Sequence, residues 1–171
     1  MSLEATLGLG GNLGDPVHAF AMALTRLEAT NGIRLRVFSS VWRTAPWGKL
    51  DQPEFRNMAA LVETRLSADD LLALCLAIER QSGRERRERW GPRTLDIDIL
   101  TYGGQVIDRP GLQIPHPRIA ERAFVLAPLA EIAPEMQIAE RRVPDLLAAL
   151  GGKDVSRDEA GTARLQAALS G

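Results

Sequence analysis

Apolar and polar positions along this chain alternate between two periods, and the switches between them outline a fold. Ala5 to Leu9 is a short apolar run, read as a buried strand. It leads into Gly10-Gly11-Asn12-Leu13-Gly14, after which Asp15 and Pro16 suit a helix N-cap and first helical position. Val17, Phe20, Leu24 and Leu27 then recur at helical spacing until Asn31-Gly32 ends the helix. Ile33 to Arg43 is β-rich and loosely alternating, so one strand is expected there, followed by a loop from Thr44 to Pro53. Phe55 to Leu66 reads as the next strand, with Met58, Ala60 and Val62 on one face and Phe55 and Asn57 on the other. Ser67 to Asp70 resembles a capping box, and Leu71, Leu72, Cys75 and Ile78 form the core stripe of a second helix up to Gly83.

After an arginine-rich loop, Leu95 to Tyr102 returns to period two. Gly103-Gly104 predicts a tight turn into Gln105 to Ile107, and Ile114-Pro115-His116-Pro117 a rigid segment. Arg118 to Ala133 reads as a turn, an apolar stretch from Phe124 to Leu129 and an acidic helix end. Val143 to Leu150 reads as a short helix. The order strand–helix–strand–strand–helix–strand predicts an α+β fold, a ferredoxin-like α/β sandwich of antiparallel sheet with helices packed on it. In that arrangement the strand carrying Phe55 and Asn57, the Asp96–Asp98 strand and the His116–Phe124 segment can line one face.

Length and composition add bounds. At 171 residues the chain suits one domain over 1–171, with a Gly-, Ala- and charge-rich tail over 151–171 to which the sequence assigns no role. The formal net charge of −1 gives no bulk attraction to nucleic acid, so an anion site has to be local. Cys75 is the only cysteine and lies in a core stripe; it is read as packing rather than as a nucleophile. No run is long and apolar enough for a membrane span, and a cytoplasmic monomer is expected.

The chemistry concentrates in Glu79 to Leu100, ERQSGRERRERWGPRTLDIDIL. Asp96 and Asp98 share one face of a strand, their Cα atoms roughly 6.6 Å apart. Ile97 and Ile99 take the other face. Two adjacent carboxylates repel, and sheet packing does not require them. A hard divalent cation relieves that repulsion, and Mg²⁺ binds through carboxylates, phosphates and water. Arg84, Arg86, Arg87, Arg89 and Arg93 supply planar forks suited to phosphate. A solvated polar strand beside a solvated basic loop is the plainer alternative; the two features standing side by side favour a magnesium–polyphosphate site. Gly8 and Gly10 begin a GxGxxG pattern, but position 13 is leucine and no acidic residue ends a second strand, so a dinucleotide fold is not indicated. A turn bringing backbone close to a ligand, or a plain turn, both remain open there. An RNA-binding module of this fold lacks its RNP-type motif, and a two-metal phosphohydrolase leaves Phe55, Asn57 and Phe124 without a use.

Four blocks, LGLGGNLGDP, WRTAPWG…DQPEFRN, GR…RWGPRTLDIDIL and PHPRIAERAFVLAPL, resemble the 6-hydroxymethyl-7,8-dihydropterin pyrophosphokinase family from about Leu7 to Pro134. The resemblance implies transfer of pyrophosphate from ATP to the hydroxymethyl group of 6-hydroxymethyl-7,8-dihydropterin in folate biosynthesis, leaving AMP. It implies that Asp96 and Asp98 hold two Mg²⁺ ions around the triphosphate. Phe55 and Phe124 match the pterin-stacking pair, Asn57 the pterin hydrogen-bonding residue, and Thr44 and Pro46 the same pocket wall. Glu79, Arg84, Trp90, Arg93, Ile99, His116 and Arg122 match ATP-site positions. Arg84, Arg86 and Arg93 join the two aspartates as catalytic candidates, and Arg84, Arg86 and Trp90 fall in a loop that closes over the substrates. There are departures. Gly11 stands where the family usually has serine, and Gly111 where some relatives have an ATP-contacting arginine. The loop looks one residue shorter than in some relatives, so Arg86 and Arg87 compete for one role.

Overall fold

The computed structural model describes residues 1–44, 53–83, 94–151 and 154–170. Strand β1 (Leu3–Gly11) is followed by helix α1 (Pro16–Ala29), β2 (Ile33–Phe38), β3 (Trp42–Thr44), β4 (Phe55–Thr64) and α2 (Ala68–Gln81). Then come β5 (Asp96–Tyr102), the hairpin β6 (Ile107–Arg109) and β7 (Leu112–Ile114), and α3 (Ala123–Ile132). The chain continues through β8 (Gln137–Ile138), β9 (Arg141–Arg142), α4 (Val143–Leu150), β10 (Val155–Arg157) and α5 (Glu159–Ser170). The main sheet runs β10-β3-β4-β1-β5, with β2 pairing the far half of β4, and all its pairings are antiparallel. The ferredoxin-like order holds: β1 is central, and β5 forms an edge.

The predicted caps form. The Asp15 side chain accepts from the His18 amide at 3.2 Å with Pro16 following, and Ser67 Oγ accepts from the Asp70 amide at 3.1 Å. Positive φ at Gly32 and Gly83 ends the helical stretches. Leu7, Leu9, Met58, Ala60, Ile97 and Ile99 meet Phe20, Leu24, Leu71, Cys75 and Ile78 in the first core, between the sheet and α1 and α2. A second, separate core of Leu100, Ile119, Leu126, Leu129, Val143 and Leu146 lies beneath α3 and α4 on the other face. Helices therefore cover part of both faces.

Two local expectations need correction. The strand expected over Ile33–Arg43 is two strands. Ser39 breaks it: its hydroxyl accepts from the Ala59 amide at 2.9 Å, while Glu131 takes the Ser40 amide and hydroxyl. Side chains here replace ladder partners, which period-two reading does not register. β1 continues through Gly10 and Gly11 rather than turning at them. After the turn at Gly103-Gly104, β6 starts at Ile107 and forms its own hairpin with β7. The stretch over 154–170, to which the sequence assigns no role, is folded: β10 pairs β3, and α5 packs on α1 with Leu165 buried in the first core.

None of the described helices is long and apolar enough to cross a membrane.

Candidate active site

The second face of the sheet is left open where β1 carries glycine. Cross-strand partners share a face, and the register sets Gly10 between Asn57 on β4 and Asp96 on β5, with Gly8 opposite Asp98. A Cβ on Gly10 would lie 2.7 Å from Asn57 Oδ1, and one on Gly8 would lie 3.4 Å from the Leu100 methyls. The glycines thus form a side-chain-free floor between an amide and two carboxylates. These two positions were legible as a GxG pair, but their use as floor depends on β1 being central.

Above this floor is a cavity of about 430 Å³, within the usual range for small-molecule sites. Thr44, Phe55 and Asn57 line one side, Asp96, Asp98 and Glu79 the other, and His116 and Arg122 from the segment leading to α3 and Phe124 from its first turn complete the lining. Asn57 Nδ2 donates to Thr44 Oγ1 at 2.9 Å, which presets one wall. The Arg122 guanidinium carbon sits 5.6 Å from the Phe124 ring centroid, within cation–π range. Asp96 is half-buried and Asp98 exposed, whereas Ile97 and Ile99 are buried on the opposite face, as their alternation predicts.

Glu79 arrives from the last turn of α2. It is buried, and its Oε2 accepts from the Ile97 amide at 2.7 Å, tying the helix end to the carboxylate strand. His116 is held by its backbone, whose amide donates to the Leu100 carbonyl at 3.1 Å. Its Nδ1 accepts from the Arg118 amide at 3.3 Å, which leaves the proton of the neutral ring on Nε2. Burial lowers its pKa, with Arg122 and Arg118 acting in the same direction and Asp98 opposing. The surroundings therefore favour the neutral imidazole, whose Nε2 is left as a donor.

A second cavity, about 660 Å³, lies beside β5 and the β6–β7 hairpin. Ile99, Asp108, Arg109, Leu112 and Gln113 line it, and it shares Asp98, Gly111 and His116 with the first. The two cavities meet at the carboxylate strand. Gly111 turns the β6–β7 hairpin at φ +82°, a conformation that favours glycine.

The structure thus gathers Thr44, Phe55, Asn57, Glu79, Asp96, Asp98, His116, Arg122 and Phe124 around one cavity and puts Ile99 in the adjoining one. Pro46, Arg84, Arg86, Arg87, Arg89, Trp90 and Arg93 lie outside the described residues. Leu72, Leu76, Leu100 and Val125 also line the first cavity and were not singled out as site residues; apolar linings are indistinguishable from core until the packing is known.

Comparison with known proteins gives this geometry a lineage. Residues 6–134 match the family model described as 7,8-dihydro-6-hydroxymethylpterin-pyrophosphokinase (HPPK). A Methylorubrum extorquens protein named 2-amino-4-hydroxy-6-hydroxymethyldihydropteridine pyrophosphokinase is 46% identical over 156 residues, covering 91% of this chain and 99% of that one. Its namesake in Pseudomonas aeruginosa is 43% identical over 152 residues, covering 88% of this chain and 94% of the relative. Among solved structures, wild-type Plasmodium falciparum HPPK-DHPS with STZ-DHP superposes at a TM-score of 0.67 with 15% identity. The match covers 87% of this chain and 43% of that one, so the chain spans less than half of that protein and the likeness concerns the fold. On the family match and these identities, the chain belongs to the 7,8-dihydro-6-hydroxymethylpterin-pyrophosphokinase family.

Proposed function

We propose that this protein transfers the pyrophosphoryl group of ATP to the hydroxymethyl group of 6-hydroxymethyl-7,8-dihydropterin, a step of folate biosynthesis. The observation that carries the reading is the meeting of two cavities at Asp98, with Asp96 beside it lining the first. The pterin occupies the side lined by Thr44, Phe55, Asn57 and Phe124, and ATP the side lined by Ile99, His116 and the β6–β7 hairpin. The hydroxymethyl oxygen then forms a bond to the β-phosphorus, the bond from that phosphorus to the α–β bridging oxygen breaks, AMP leaves, and the hydroxyl proton passes to water.

Asp96 and Asp98 suit Mg²⁺, with two ions expected beside ATP. Among the described residues no three acidic, His or Cys side chains cluster to hold a metal alone. Two carboxylates over a glycine floor, completed by phosphate and water, match how Mg²⁺ is usually held. Bound there, it would neutralise phosphate charge and polarise the phosphorus under attack. The chain's own residues do the rest by alignment and charge. Asn57, held by Thr44, offers amide groups to the pterin edge, and Phe55 and Phe124 offer ring faces to a flat heterocycle. His116 Nε2 donates to phosphate oxygen, and Arg122 offsets charge beside it. Arg84, Arg86 and Arg93, with Trp90, serve the polyphosphate by sequence match, Pro46 the pterin wall, and Glu79 positions the carboxylate strand. No side chain is assigned as a dedicated general base. A histidine-like pKa in the rate of chemistry that disappears in His116→Ala would overturn that point.

The reaction is tested by incubating the protein with ATP, Mg²⁺ and the pterin and separating AMP from ADP. Pterin-dependent AMP is expected. ADP would mean simple phosphoryl transfer, and no pterin-dependent product from a folded protein would overturn the reading.

A further inference from the structure

The segment after residue 134 lies beyond the family match, yet it reaches one wall of the cavity from behind. β3 is only three residues long and is paired on both sides: Thr44 with Phe55 of β4 and Val155 of β10, Trp42 with Asn57 and Arg157. Arg56 lies between Phe55 and Asn57, so its side chain projects to the face away from the cavity. There its Nε donates to Asp158 Oδ2 at 2.8 Å. The other carboxylate oxygen, Oδ1, accepts from the Gly161 amide at 2.8 Å and caps α5. The Asp158 amide donates to the Val41 carbonyl at 2.8 Å, and the Val41 amide donates to Thr162 Oγ1 at 2.9 Å.

A charge conflict explains why this contact matters. Arg43 and Arg56 are direct cross-strand partners, an arrangement that pushes strands apart. Glu54 approaches Arg56 only to 3.9 Å, whereas Asp158 makes a short, charge-assisted hydrogen bond. Burial raises the Asp158 pKa, but the Gly161 amide and Arg56 outweigh it, and the carboxyl lies below its usual range. It is ionised at neutral pH.

We propose that Asp158 is a positioning residue for the pterin side of the site: through Arg56 it holds the β4 segment carrying Phe55 and Asn57 against the β3 segment carrying Thr44. This rests on the pterin-pocket reading above. The carboxylate offsets the Arg43–Arg56 repulsion at the base pair of strands whose cavity-facing side chains are joined by the Asn57–Thr44 hydrogen bond.

Asp158→Asn tests it, because asparagine can still accept from Gly161 while the charge is lost. Equilibrium pterin binding, read by fluorescence, is expected to weaken about tenfold, the worth of one charge-assisted hydrogen bond. The KM for ATP should stay unchanged. Gly161→Ala reaches the same point by another route, since its Cβ would lie 2.6 Å from Asp158 Oδ2 and displace the carboxylate. The two changes together should cost no more than either alone. Arg56→Lys should retain more pterin affinity than Arg56→Gln. Arg164→Gln, which removes the exposed 2.6 Å pair tying α5 to Asp15, should leave pterin affinity as in the wild type. The proposal is overturned if Asp158→Asn and Gly161→Ala leave pterin affinity intact, if ATP and pterin weaken alike, or if Arg164→Gln matches them. Asn57→Ala separates the two levels. If it abolishes pterin binding while Asp158→Asn does not, only the positioning role falls; if it leaves binding intact, the pocket reading falls and takes the proposal with it.

Discussion

The two faces of strands β1, β4 and β5 carry opposite chemistry on the same backbone. On one face Leu7, Leu9, Met58, Ile97 and Ile99 pack in the core under α1 and α2, with Ile99 at its margin also lining the second cavity. On the other, one residue out of step, stand Gly8, Gly10, Asn57, Asp96 and Asp98. The first face fills its space with side-chain volume, and the second withholds it at the central strand so that its neighbours can address a ligand. The polar face is also bounded. Leu100 follows Asp98 on the same strand and belongs to the second core beneath α3, so apolar packing resumes where the cavity ends. A site of this kind needs no departure from sheet geometry; alternation separates the part that stabilises from the part that acts.

Breaking each face in turn tests that contrast. Asp96→Asn or Asp98→Asn should reduce pterin-dependent AMP formation about a thousandfold, since charge stabilisation at such a site is worth several kcal/mol. Thermal stability should hold or rise, because the substitution relieves carboxylate repulsion. A large loss of melting temperature would show that the open face is structural after all.

The reverse outcome is expected across the sheet. Leu7→Ala removes a fully buried side chain and should cost about 3 kcal/mol of unfolding free energy by denaturant titration. Turnover per folded molecule should stay near wild type. Lost turnover in the folded fraction would mean the faces are not separable.

A subtler change fills the floor. Gly10→Ala places a methyl 2.7 Å from Asn57 Oδ1 and should raise the KM for the pterin about tenfold, the cost of displacing a preset hydrogen-bonding group. Gly8→Ala should do less, because its Cβ meets Leu100 at 3.4 Å, close to ordinary contact. Equal effects would remove Asn57 from the explanation.

The smallest effect lies on the buried side beneath the carboxylates. The Cys75 thiol is pushed up to about 12 by burial first, then by the Glu79 and Asp98 charges. An unfolded cysteine ionises near 9, so the folded state holds its proton more tightly. Its contribution is complete below that pH and is lost as pH rises towards about 12. Cys75→Ala should flatten the fall in stability between those limits and change nothing at pH 7. An unchanged slope would show that the thiol is not so shielded.

Much of this could be read from residue order. Caps at Asp15 and Ser67, helical stripes through Phe20 and Cys75, and the opposed faces of Asp96–Asp98 and Ile97–Ile99 all depend on near neighbours and a fixed repeat. The aspartate–arginine block was legible for the same reason, because its chemistry sits within one short stretch. The break at Ser39, the continuation of β1 through Gly11, the floor role of Gly8 and Gly10 and the docking of 154–170 against β3 were not legible. Each depends on a partner distant in the chain: Ala59 for Ser39, Asn57 for Gly10, Arg56 for Asp158. Local pattern sets which way a side chain faces, but what it faces is chosen by strand pairing and packing across the whole domain. Gly10 shows the limit: in the chain it looks like a turn residue, and in the sheet it is the space between an asparagine and an aspartate.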